Sequence, residues 1–445
     1  MEKVGGPIPA IWWLHPGALF TLVCGSVIVA AWLIPASVYQ NNWGSTKYFD
    51  DATFLFGLGA VAVFAIGVSV SRPRSTAEAD NPEWASAVDW PRAQMLFRLC
   101  CGLCFAGYAI WAGAAISRGA NLELVQGVLT GEKDATYLMK DTYLVTLGGL
   151  TTLTQFGIAA VILGCVLASA GYWRAVRLPL LAVIGLAVAR AVFNSERLAV
   201  FELIVPAAVV LLQLPATTAR LRRDRPWLFY ILPVAGALGV FFVFTGSEYL
   251  RSWVNFYAER ESSIWEFAAT RISGYYVTAC NNSAYLLRQT QVPIGVPFYT
   301  VLFLWRFPLV NAGMRWLFPS IMTGQRDIFS ELLDAGTNPE FNNNGGLFLP
   351  MVDYDVFGGL LYWLAAGVVC GWCYRNYRRN TMGGILFYPI MMLSILEIPR
   401  IIYWAEGRVF PSLALLLIAV PLLRVRRATV SAPQTPRPVA ASNPL

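Results

Sequence analysis

Seven arginines, Arg251, Arg260, Arg271, Arg288, Arg306, Arg315 and Arg326, punctuate the stretch from Thr245 to Asp353, which holds no lysine and no histidine. Aromatic residues are dense among them, as in YLRSWVNFYAER, ISGYY and VLFLWRF. A guanidinium binds phosphate or carboxylate oxygens through two parallel N–H donors, and aromatic rings pack on the apolar faces of sugars. The combination suits anionic headgroups and glycans. Nine carboxylates accompany the arginines, so the stretch is near neutral and is not a polybasic tether. The plainer alternative is an extramembrane cap whose charges are simply solvated.

A second group of charges lies at the ends of apolar runs. Arg190 ends one apolar run and NSER follows that run, supplying Glu196 and Arg197, with Glu202 about one turn into the next run. Glu397, Arg400, Glu406 and Arg408 bracket the short turn ILEIPRIIYWAEGR, and Asp353 and Asp355 stand where another apolar run begins. Charges at membrane depth are costly and default to functional hypotheses. For each pair the competing reading is an ion pair that closes a helix hairpin, Arg190 with Glu202 or Arg408 with Glu406. For the two aspartates it is capping of free backbone amides at a helix start.

The elements that must position these residues are membrane spans. Of the 445 residues, 57% are hydrophobic and only 13% charged, with mean hydropathy +0.54. That is about half the charged fraction of a soluble chain. Ten apolar runs near the roughly 20 residues a bilayer requires fall at 17–34, 52–70, 97–117, 143–170, 178–193, 198–215, 227–245, 354–373, 382–399 and 408–423. The expected fold is therefore an all-α polytopic membrane protein of about ten transmembrane helices with a large outward-facing helical loop. Four regions follow: 1–245 with about seven helices, the loop 246–353, 354–427 with about three helices, and a Pro/Ala/Ser-rich tail 428–445 expected to be disordered.

Alternate connectors differ in charge. One set carries sixteen lysines and arginines and the other short connectors carry eight. The positive-inside rule then puts both termini in the cytoplasm and the large loop outside, on the same face as Arg190, Arg197, Arg400 and Arg408. The net charge of +7 belongs to this asymmetry and is not a nucleic-acid footprint. The only histidine, His15, falls on the opposite side, which argues against histidine-based acyl transfer or metal binding at the outer face. Cys101/Cys104 and Cys370/Cys373 have C-x-x-C spacing inside apolar runs and read as buried small hydrophobes.

Within the loop, Ile264, Phe267, Ala268 and Ile272 follow helical spacing, and an unbroken helix would bring Arg260 and Arg271 onto one face. The segment PIGVPFYTVLFLWRFPLVNAGMRWLFPSIM is interrupted by Pro293, Pro297, Pro308 and Pro319 and reads as one or two helices at the membrane surface. Between Arg118 and Asp141 a short amphipathic helix is expected, with Leu122, Leu124, Val125 and Leu129 on its apolar face.

In NSERLAVFELIVP, the proline-broken segment and NNNGGLFLPMVDYDVFGGLLYWLAAGVVCGW, the chain resembles bacterial O-antigen and exopolysaccharide repeat-unit polymerases of the Wzy type. The resemblance implies a GT-C-like membrane glycosyltransferase of the bacterial inner membrane. Such an enzyme transfers a growing glycan from undecaprenyl diphosphate to a lipid-linked repeat unit, with no metal, nucleotide sugar or other cofactor. It implies a flippase and a chain-length regulator as partner proteins, besides the lipid-linked oligosaccharide and the bilayer. Fixed arginines suit that chemistry, because they stabilise the charge that a departing diphosphate accumulates. The expected catalytic residues are Arg197 and Arg400, with Asp353 or Asp355 as acceptor base and Glu196 in reserve. Arg190, Arg251, Arg260, Arg271 and Arg408 are the expected substrate-binding residues. A flippase of lipid-linked sugars and a non-enzymatic envelope assembly protein are the two other classes the sequence admits.

Overall fold

The computed structural model describes residues 11–71, 88–194, 196–214, 224–249, 252–253, 257–259, 263–290, 295–307, 310–323 and 326–423. Eleven longer helices organise these residues: α1 (Pro16–Leu33), α2 (Asp51–Val70), α3 (Trp90–Ser117), α4 (Phe156–Leu167), α5 (Trp173–Phe193), α6 (Leu198–Gln213), α7 (Leu228–Glu248), α8 (Ile264–Gln289), α9 (Leu349–Arg378), α10 (Met382–Glu397) and α11 (Phe410–Leu422). A two-residue antiparallel pairing, Met322–Thr323 with Arg326–Asp327, is the only β-sheet among the described residues. Six stretches are long and apolar enough to cross a membrane: α1, α2, α3, Thr151–Phe193, α7 and α9. The apolar helices α6, α10 and α11 are shorter, at 16, 16 and 13 residues. The chain is thus a helical multi-pass membrane protein.

Two apolar cores share α6 and α10. In the first, α1, α2 and α9 pack around Trp363, which is fully buried against Phe20 and Phe64. Small residues let α2 and α9 approach closely. A β-carbon at Gly67 would lie 2.3 Å from the Leu364 carbonyl oxygen, and one at Gly367 would lie 2.3 Å from that of Phe64. Between helices in lipid there is no hydrophobic drive, so such backbone contact is a main source of attraction. The second core centres on α4, from which every residue between Gly157 and Leu167 is buried by α3, α5, α6, α10 and α11. A helix apolar on all sides belongs in such a centre. Gly171, at φ +94, turns the chain from α4 into α5 where a side chain would be strained.

The amphipathic helix α8 lies within the expected outward loop, yet it packs alongside α1 and is buried from Val277 to Leu286. Its polar residues act as struts. Asn281 accepts from the Tyr48 and Phe49 amides and donates to the Thr46 carbonyl, and Asn282 donates to the carbonyls of Phe341 and Asn343. Gly345, at φ +70, fits against the Ala279 carbonyl, while its amide and that of Gly346 donate to the carbonyls of Arg400 and Ile398. This chain of contacts holds the NNNGG turn against the turn after α10.

Several expectations need correction. The helix α8 begins at Ile264 and carries Arg271; Arg260 and Arg251 both lie outside the described residues, as does the tail 428–445. The helix between Arg118 and Asp141 is present as Leu122–Thr130, but its packed residues are Leu124, Val125 and Val128, whereas Leu122 and Leu129 are exposed. The proline-broken segment does form two short helices, Leu302–Arg306 and Val310–Leu317. All eight cysteines are free and buried.

Gly367→Leu should force α2 and α9 apart and lower stability by about 3 kcal/mol or more. Gly102→Leu, where nothing lies within 4 Å of an added β-carbon, should change it by less than about 0.5 kcal/mol. Thermal unfolding of the detergent-solubilised chain compares the two.

Candidate functional site

The C-terminal ends of α5, α7 and α10 meet the N-terminal ends of α6 and α11 at one end of the bundle, beside α8. Five arginines and five glutamates gather there in three connected groups. In the first, Arg190 donates to Glu196 at 2.6 Å, and Arg408 donates both to Glu196 and, at 2.7 Å, to Glu202. The Tyr403 hydroxyl completes Glu202 at 2.8 Å, and Arg190 also donates to the Thr154 hydroxyl at 3.2 Å. Burial works against ionisation of Glu196, but Arg408 and Arg190 outweigh it and hold the carboxyl below its ordinary range.

In the second group Glu248, the last residue of α7, is fully buried and receives Arg197 on one carboxylate oxygen and Arg271 on the other. Arg271 also donates to Glu340 at 2.7 Å, and the Tyr257 hydroxyl donates to Glu340 at 3.2 Å. Burial alone would favour neutral Arg271; Glu248 and Glu340 reverse that and raise its pKa above the ordinary value. Aromatic faces enclose the pair. The Arg197 guanidinium lies 4.2 Å from the Phe244 ring centre, and Arg271 lies 5.5 to 5.6 Å from those of Phe341, Tyr257 and Phe267. In the third group Arg400 donates to Glu397 at 3.0 Å. Tyr275 joins the last two groups, since Arg197 and Arg400 both lie 5.9 Å from its ring centre.

Arg190, Arg197, Arg271, Arg400 and Arg408 are thus brought together at this end. The hairpin pairings differ from those expected, because Arg190 takes Glu196 and Arg408 takes Glu196 and Glu202. Glu406 instead faces Arg306 at 3.4 Å. Among the described residues of the site, five carboxylates stand opposite five guanidiniums. Not every donor is used, however: Nε of Arg400 and Nη2 of Arg408 are buried without a hydrogen-bond partner. Behind Arg190 and Glu202, among Tyr108, Thr154 and Leu203, lies a cavity of about 10 Å³, room for about one water.

The two aspartates do not cap α9, which starts at Leu349 with Pro350 in its first turn. Asp353 is buried inside the helix, and both its oxygens are engaged. One accepts from the Tyr299 amide at 3.1 Å, and the other from the Thr300 amide and hydroxyl, each at 2.8 Å. Its backbone carbonyl also accepts from the Gly295 amide. Asp353 therefore ties the segment 295–300 to α9. Asp355 is exposed and sits at a break in α9 with φ 64 and ψ 171, a region that glycine alone adopts without strain.

Glu248, Glu340 and Tyr275 are the site residues that sequence reasoning passed over. The signals were present: Glu248 is a carboxylate at the end of a long apolar run, and Tyr275 stands in the ISGYY aromatic cluster next to Arg271. No protein-family model matches the chain, and no curated protein or solved structure matches it either.

Asp353→Asn should destabilise the chain by about 1–3 kcal/mol, because the amide turns an N–H group toward backbone donors. Asp355→Gly should instead stabilise it by about 1 kcal/mol through relief of backbone strain. Melting of both full-length variants in detergent checks the pair, and an unperturbed Asp353→Asn would remove the bracket role.

Proposed function

We propose that this chain is a metal-independent glycosyltransferase of the bacterial inner membrane. It polymerises undecaprenyl-diphosphate-linked oligosaccharide repeat units at the outer face, for O-antigen, capsule or exopolysaccharide. The observation that carries the reading is the meeting of Arg197 and Arg400, from two different helix hairpins, on the ring of Tyr275, with a donor of Arg400 unpartnered. Guanidiniums fixed over aromatic faces suit a substrate that joins a diphosphate to sugar rings.

The topology of this reading counts α6, α10 and α11 as spans, for ten crossings with both termini cytoplasmic. At 1.5 Å per residue these three helices rise only about 24, 24 and 20 Å, short of the roughly 30 Å hydrocarbon core. In this reading the shortfall falls at the outer end, with Glu196, Arg197 and the turn 398–409 in a recess below the outer membrane surface. A lipid-borne diphosphate reaches such a recess without leaving the bilayer, while its glycan extends over α8 and the aromatic segment 298–307. Sinking the arginines below the surface strengthens their pull on developing charge, because less water screens them.

In the transfer, the acceptor hydroxyl attacks the anomeric carbon of the donor as the bond from that carbon to the diphosphate oxygen breaks. The charge left on the diphosphate is met by Arg197 and Arg400. Glu340 is about half exposed beside Tyr257 and Arg271, whereas Asp353 is buried, so Glu340 takes the acceptor proton. Arg190 and Arg408 shape the hairpin turns and hold Glu196 and Glu202.

Right-side-out membranes supplied with lipid-linked repeat units provide the test. Arg197→Lys and Arg400→Lys should each cut polymer formation at least a hundredfold, with unpolymerised units accumulating at the outer face. Polymer at the normal rate in both variants would overturn the reading. Units trapped at the inner face would instead indicate a flippase.

A further inference from the structure

Glu248 is placed unlike the other glutamates of the cluster. Its carboxylate is fully buried, with one oxygen on Arg197 and the other on Arg271. Arg271 is itself more than nine-tenths buried and walled by Phe267, Phe341 and Tyr257. Two guanidiniums gripping two oxygens of one planar anion form the geometry that binds two oxygens of a phosphoryl group equally well. The seat is thus built for a small divergent anion, and a side chain of the protein fills it.

The element that delivers Glu248 is the least embedded of the long apolar helices. Only 17% of the apolar window of α7 is buried inside the protein, against 33% or more for the others. Val234, Phe242 and Val243 are each more than half exposed. Its main packing partner is α8, through Trp265 against Phe241 and Phe242 and through Tyr275 against Phe244. Lipid-facing side chains lose nothing when a helix shifts within lipid. Among the described residues, the Glu248 ion pairs and these aromatic contacts hold α7 at this end.

We propose that the Glu248 carboxylate is a displaceable internal ligand, occupying the seat between Arg197 and Arg271 that a phosphoryl group of an incoming substrate takes, and that its release frees the end of α7 from the site. The identity of the phosphoryl group as part of a lipid diphosphate rests on the function proposed above; the seat and its internal occupant do not. An unoccupied site is thereby kept neutral and closed, since Arg197 and Arg271 never stand buried without a counter-charge. Arrival of a phosphoryl anion exchanges one counter-charge for another, and the freed carboxylate reaches water. The same exchange opens a path between α7 and α8 for a lipid-tailed molecule.

Inorganic pyrophosphate is the probe, with the full chain in lipid nanodiscs. Titration calorimetry should show Glu248→Gln binding pyrophosphate at least about tenfold more tightly than the unaltered chain, because the neutral amide competes poorly for two guanidiniums. Arg271→Ala added to Glu248→Gln should abolish the gain. Asp89→Asn, which removes the partner of Arg92 at the other end of the bundle, should leave affinity unchanged. Hydrogen exchange on the unaltered chain provides a measurement that needs no variant. Millimolar pyrophosphate should speed exchange of the amides at the end of α7, from Phe241 to Glu248, and leave α9 as it was. Equal affinity in Glu248→Gln, or an α7 whose exchange does not respond, overturns the proposal. Tight pyrophosphate binding in a chain that makes no polymer upholds it and removes only the glycosyltransferase reading.

Discussion

Every feature of the charged end follows from one constraint: a guanidinium sunk among apolar helix ends must meet carboxylates there. Breaking a buried pair by removing one partner costs about 3–5 kcal/mol, because the other charge is stranded. Arg408 illustrates how much structure this commits. It reaches Glu196 between α5 and α6 and Glu202 inside α6, from a turn between α10 and α11. Two sequence-distant turns and the start of α6 are locked by one side chain, and Tyr403 then adds its hydroxyl to Glu202. Arg271 does the same for α7 and the 339–341 turn through Glu248 and Glu340. The network thus fixes where the helix ends stand, and with them the arginines available to a ligand.

Most of the helices were legible in the sequence because an apolar run near bilayer length has few alternatives. Helix lies within each of the ten runs, although only six stretches of the described residues are long and apolar enough to cross. Helix faces were less legible. Of the residues expected on the apolar face of the 122–130 helix, Leu122 and Leu129 are exposed, because hydrophobicity ceases to distinguish inside from outside where the surroundings include lipid. The arginines themselves could be singled out, since charges beside apolar runs are rare. Their partners could not, because a choice between Glu196, Glu202 and Glu406 depends on how two hairpins cross. Asp353 was misplaced for a local reason: α9 starts a turn earlier than its most apolar stretch, so the aspartate falls inside the helix and brackets Thr300 instead.

The polar residues of α8 explain why a stretch of ordinary hydropathy is drawn into the bundle. Asn281 and Asn282 satisfy backbone groups of two connectors that otherwise have no regular partner, and such groups are costly to leave unmet away from water. The price of this insertion is a helix whose middle is both buried and polar, and Tyr275 and Arg271 are carried on it into the charged end. Loop and bundle therefore form one site, with α8 supplying the surface that faces the two hairpin turns.

The central claim is that a lipid diphosphate binds at this end against Arg197 and Arg400. Cryo-electron microscopy of the chain in nanodiscs with undecaprenyl diphosphate tests it most directly. The account predicts diphosphate density within hydrogen-bond distance of both guanidiniums, beside Tyr275, with the lipid tail leaving along α7. Diphosphate density at the opposite end of the bundle, near Arg375 and Asn380, or density at the charged end that touches neither arginine, would contradict it.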